Sequence, residues 1–85
     1  MSDATNPALT LYTTSWCPFC NRLKAGLDRN DVDYTEIDIE ADPAAAEFVG
    51  SVNGGNHVVP TALYGDGSTA TNPAVGEVMS KLGLM

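Results

Sequence analysis

Apolar and polar residues alternate along Leu9-Thr10-Leu11-Tyr12-Thr13-Thr14, a stretch rich in β-formers that predicts a first strand. Pro18 follows where a first helical turn tolerates proline. Cys20, Leu23, Lys24 and Leu27 then share one face, so a helix is expected to about Asn30. Alternation returns from Asp33 to Ile39. Thr35, Ile37 and Ile39 point one way and Tyr34, Glu36 and Asp38 the other, the mark of a half-buried strand. Asp42-Pro43 reads as the cap and first residue of a second helix. Ala45, Phe48, Val49 and Val52 follow at helical spacing, and the helix is expected to end near Asn53-Gly54-Gly55. A strand from about Val59 to Tyr64, a hairpin turn at Gly65-Asp66-Gly67 and a short returning strand around Thr69 to Thr71 come next. Asn72-Pro73 is expected to open a last helix with Val75, Val78, Met79 and Leu82 on its apolar face.

The order is βαβαββα. Two strands joined through a helix run parallel with a right-handed crossover, and the last two form an antiparallel hairpin. The expected fold class is α/β, a four-stranded mixed sheet with helices on both faces. With no repeat, low-complexity tract or linker, the 85 residues read as one domain, 1–85.

Charge narrows the partners. Eleven acidic residues face four basic ones, a net charge of -7 that argues against nucleic acid and against anionic membrane surfaces. Arg22, Lys24 and Arg29 all lie shortly after the cysteines. They are either a solvated helix face or a local positive potential near a thiolate or an anionic ligand. No apolar run approaches the roughly 18 residues a transmembrane helix needs. Met1 to Ala8 lacks the basic and apolar regions of a signal peptide. The low cysteine count agrees with a soluble cytoplasmic protein.

The chemistry lies in Cys17 and Cys20. A disulfide between them closes so small a loop that it removes little unfolded-chain entropy, so the pair is a poor staple. Residues at i and i+3 of a helix have Cβ atoms about 5–6 Å apart, and a modest adjustment brings that into disulfide range. Cys17 is expected exposed at the helix N-terminus, where unpaired N–H groups and the dipole favour an anion. Cys20 shares the inward stripe of Leu23 and Leu27, where burial disfavours its thiolate. Cys17 is therefore the candidate nucleophile and Cys20 the resolving or sheltered thiol. Pro18 stiffens the turn. Trp16 and Phe19 flank it, either in the core or lining an exposed groove. A cis Val59–Pro60 bond would leave the Val59 backbone groups free to pair with an extended substrate beside the sulfur. No metal site is expected, because two thiolates and the single His57 do not complete a tetrahedral set. His57 reads as a solvated loop residue and Gly54-Gly55 as a loop without chemistry.

Thr14-Ser15-Trp16-Cys17-Pro18-Phe19-Cys20 resembles the active-site motif of dithiol glutaredoxins. Val58-Val59-Pro60 resembles their Thr-Val-Pro motif, with Val58 in place of the usual Thr. The resemblance covers nearly the whole chain. It implies the thioredoxin fold, with Cys17 as nucleophile and Cys20 as resolving cysteine. Trp16, Pro18, Phe19, Val59, Pro60, Thr71 and Asn72 are the expected substrate- and thiol-binding residues. Glutaredoxins carry Gly-Gly followed by Asp at the start of the last helix, gripping the γ-glutamyl end of glutathione; here the stretch reads Asp66-Gly67-Ser68-Thr69-Ala70-Thr71-Asn72-Pro73. That stretch, together with Ala44 through Asn56, resembles mycoredoxins instead. These use mycothiol, a sugar-based thiol with no γ-glutamyl carboxylate. The resemblance implies a monomer that reduces protein–mycothiol mixed disulfides and holds no bound cofactor. Mycothiol would be the reducing co-substrate in preference to glutathione, and mycothiol disulfide reductase with NADPH would act indirectly. Two alternatives stay open. Redoxins that serve ribonucleotide reductase draw on thioredoxin reductase, but they end with a Trp-Ser-Gly-Phe type motif, and this chain has no tryptophan after Trp16. An iron–sulfur cluster-binding module is the other, and Pro18 disfavours it.

Overall fold

In the computed structural model, which describes residues 9–84, the elements run β1 (Leu9–Thr13), α1 (Pro18–Arg29), β2 (Thr35–Asp38), α2 (Pro43–Val52), β3 (Thr61–Tyr64), β4 (Thr69–Thr71) and α3 (Val75–Lys81). The leaderless N-terminus expected over Met1 to Ala8 lies outside these residues. The sheet order is β2-β1-β3-β4. β1 is parallel to β2 and antiparallel to β3, and β4 returns antiparallel beside β3.

Register builds the core. Leu9 pairs with Tyr64 and Leu11 with Ala62, so all four face one side of the sheet. There they meet Leu23 and Leu27 of α1 and Val78 of α3. On the other side Tyr12 and Ile39 meet Ala45 and Val49 of α2, with the Tyr12 and Phe48 rings 5.2 Å apart. Helices thus cover both faces. α1 and α3 touch at Gly26, where an added Cβ would collide with the Val75 side chain.

Some boundaries differ from expectation. β2 is only the edge segment Thr35–Asp38, though Ile39 still bonds the Thr13 carbonyl through its N–H at 3.0 Å. β3 starts at Thr61, leaving Val59 and Pro60 in the loop before it. Val52 is 37% exposed, so the apolar stripe of α2 ends a turn earlier. Asn72-Pro73 does not open α3. Asn72 has a left-handed φ of 50°, and its N–H bonds the Pro60 carbonyl at 2.7 Å. It is a turn residue, and Ala74 takes the cap position of α3 without a side-chain bond. Asp42, by contrast, is extended at φ -139°, and its carboxylate accepts from the Ala45 N–H at 3.2 Å, a true cap.

Candidate active site

β1 and β3 run antiparallel, so the end of β1 and the start of β3 meet at one end of the sheet, where α1 also begins. Cys17 is the N-cap of α1, with Pro18 in the first turn. Its Sγ accepts the Cys20 N–H at 3.2 Å, as a serine oxygen would at the same position. The same sulfur donates toward the Val59 carbonyl at 3.8 Å. The Val59–Pro60 bond is cis. Among the described residues Val59 makes no backbone–backbone hydrogen bond.

Cys17 is not exposed as expected. The residue is 2% exposed, because the chain at Val59 packs against its sulfur, while Trp16 (66%) and Phe19 (54%) take the solvent positions beside it. Cys20 is fully buried, and both thiols are free. Burial, and then the hydrogen bond with Cys17, push the Cys20 thiol up to about 12. Lys24 opposes this weakly. Its ammonium is engaged by Glu36 at 2.6 Å, and that pairing holds the Glu36 carboxyl below its ordinary range.

Beside the thiols a groove of about 330 Å³ runs between α1 and the β4–α3 connection, lined by Phe19, Arg22, Leu23, Asn72, Pro73, Ala74 and Val75. Arg22 forms no ion pair among the described residues. At the groove's end the Glu77 carboxylate accepts the Ala74 N–H at 3.4 Å, so α3 begins under its own negative charge.

The structure gathers Cys17, Cys20, Pro18, Val59 and Pro60 at one point and places Phe19 and Asn72 in the adjoining groove. Trp16 is directed elsewhere, its indole N–H donating to Glu40 at 2.9 Å. Thr71 does not line the groove, and its hydroxyl donates to Asn53 Oδ1. His57 lies exposed against Gly50. Asn53 and the fully buried Thr61 were not singled out from sequence. The available signal was a threonine at the inward start of a strand otherwise filled by Ala62, Leu63 and Tyr64. Among the described residues no three metal-binding side chains cluster, and no helix is long and apolar enough to cross a membrane.

The glutaredoxin family profile matches residues 9–66. A protein of Mycobacterium tuberculosis named as a glutaredoxin is 63% identical over 75 residues, covering 88% of this chain and 89% of that one. Mycoredoxin 1 of Corynebacterium glutamicum is 49% identical over 74 residues, covering 87% of this chain and 91% of its own. The glutaredoxin of Archaeoglobus fulgidus superposes with a TM-score of 0.73 at 23% identity, covering 96% of both chains, which establishes the thioredoxin-like fold. With the buried dithiol at a helix cap and these relatives together, the chain belongs to the glutaredoxin family and is a thiol–disulfide oxidoreductase.

Proposed function

We propose that this protein reduces protein–mycothiol mixed disulfides through Cys17. The observation that carries the reading is the placement of Cys17 Sγ between the Cys20 N–H at 3.2 Å and the Val59 carbonyl at 3.8 Å. The first contact stabilises a sulfur anion. The second puts a backbone segment without a backbone partner beside the reacting atom, where an extended substrate strand would pair.

The Cys17 thiolate attacks the mycothiol sulfur of the mixed disulfide. The old S–S bond breaks, and the client thiolate leaves with the electron pair and takes a proton from water. A second mycothiol thiolate attacks the bound mycothiol sulfur, forming mycothiol disulfide and releasing the Cys17 thiolate. An NADPH-dependent reductase then restores two mycothiols. In the other route Cys20 attacks the Cys17 sulfur and expels mycothiol. That route first requires deprotonation of a thiol whose value burial raises, which favours the external thiol route.

The groove supports the choice of thiol. A γ-glutamyl carboxylate needs N–H groups or positive charge at the start of the last helix. Here the Ala74 N–H is engaged by Glu77, and the protein carries a net charge of -7. Both disfavour an anionic thiol, and Arg22, the one cation lining the groove, opposes them. Phe19, Arg22 and Asn72 offer a flat ring and polar groups to a neutral sugar. Partners would be mycothiolated proteins and mycothiol, with a cytoplasmic setting and a monomeric protein.

The test is a mycothiolated protein substrate assayed with mycothiol or glutathione as sole reductant. Mycothiol should turn over at least about tenfold faster, the worth of one misplaced charge–hydrogen-bond contact. Cys17→Ser should abolish activity with either thiol, and Cys20→Ser should retain it. Equal rates with glutathione would remove the mycothiol assignment, and an active Cys17→Ser protein would remove the mechanism.

A further inference from the structure

We propose that Asn53 is a positioning residue that holds the substrate-facing loop at Val59. It stands at the end of α2, where the sequence reads as a helix stop. Its side chain ties three segments together. Nδ2 donates to the Val49 carbonyl at 2.8 Å and to Thr61 Oγ1 at 3.2 Å, and Oδ1 accepts from the Thr71 hydroxyl. Thr61 in turn donates its hydroxyl proton to the Val58 carbonyl at 2.7 Å. On the far side of the loop the Asn72 N–H holds the Pro60 carbonyl at 2.7 Å.

Val58 and Pro60 are thus both pinned, and Val59 between them has no backbone–backbone hydrogen bond and holds its carbonyl 3.8 Å from the Cys17 sulfur. Each bond of the Asn53 amide constrains the next. Thr61 points its proton at Val58 because the Asn53 N–H occupies its acceptor side. Thr71, expected from sequence among the substrate- and thiol-binding residues, is the outer anchor of this bracket. A carboxylate at position 53 would still accept from Thr71 but present no N–H to Val49 or Thr61. A leucine would keep the bulk and lose every bond.

The inference rests on the reading that Val59 receives an extended substrate, and two substrates separate the two ideas. Pre-reduced protein is mixed in single turnover with a mixed disulfide on an extended peptide, or with bis(2-hydroxyethyl) disulfide, which is too short to pair with the Val59 backbone. The readout is the ratio of the two second-order rate constants. Asn53→Leu and Asn53→Asp should lower that ratio about tenfold, as expected when a hydrogen-bonded positioning contact is lost. Thr71→Val should lower it about threefold, while Thr71→Ser should keep it. The Thr71 variants alter an exposed position and carry the test should the Asn53 variants fail to fold. Equal losses on both substrates mean a merely structural role and overturn the inference, as does an unchanged ratio in a folded Asn53→Leu protein. A wild-type protein that does not prefer the peptide overturns the use of Val59 and the role of Asn53 with it.

Discussion

At the scale of single residues, the two sulfurs are distinguished by hydrogen bonding more than by exposure. Both lie out of solvent, yet Cys17 takes a helix N–H as an N-cap does, while Cys20 sits among the leucines. The Cys20 thiol, raised to about 12 from an ordinary value of 9.0, has a measurable consequence. A folded value above the unfolded one contributes stability that is complete below about 9 and is lost as the pH rises toward the folded value. In Cys17→Ser the remaining thiol should show no thiolate absorbance at neutral pH, because burial, the leading cause of its raised value, is retained. Ionisation near pH 8 would mean that water reaches it. The cysteine pair, the proline that follows Cys17 and the cis proline were legible in sequence because each is a residue type with one dominant physical use. The depth of Cys17 was not. It depends on the chain at Val59, 42 residues away, packing onto the sulfur, and no local pattern encodes that.

At the scale of elements, similar dipeptides behave differently. Asp42-Pro43 starts a helix and Asn72-Pro73 does not, because the Asn72 N–H is drawn to the Pro60 carbonyl and the residue turns left-handed. A tertiary bond overrides the local signal. The amphipathic periods of β1, α1 and α2 placed those elements within a few residues, since each has one face to bury. The packing of α1 on α3 depends on a residue that periodicity does not flag. Gly26 lets Val75 approach so closely that a methyl has no room. Alanine there gains about 1 kcal/mol of helix propensity but meets an overpacking cost of about 1–3 kcal/mol. Gly26→Ala should therefore lower the free energy of unfolding by about 1 kcal/mol, read from urea midpoints, and displace α3, which forms one wall of the groove. A stabilised Gly26→Ala protein would show that the two helices are free to separate.

At the scale of the whole molecule, charge bears on how fast an anionic thiol approaches. With a net charge of -7 the protein repels an anionic co-substrate through a field that salt screens within about 8–10 Å. Raising ionic strength from low to physiological should speed turnover with glutathione by about twofold or more and turnover with the sugar thiol by less, because the glutathione thiolate carries one more negative charge. Parallel salt dependences would place the discrimination in local contacts instead. The topology has an engineering consequence as well. The cysteine turn, the Val58–Pro60 loop and the Asn72 turn all gather at one end of the sheet, and the Gly65-Asp66-Gly67 turn lies at the other, beyond the Leu9–Tyr64 pair. A reporter peptide spliced in after Gly67 adds loop entropy that grows by only about 0.6 kcal/mol per doubling of length. Such a sensor should exchange disulfides at the unmodified rate, and a slowed one would reveal that the two ends are mechanically linked. The far turn is thus a handle by which the redox end could be attached to a fluorophore, a surface or a client without being touched.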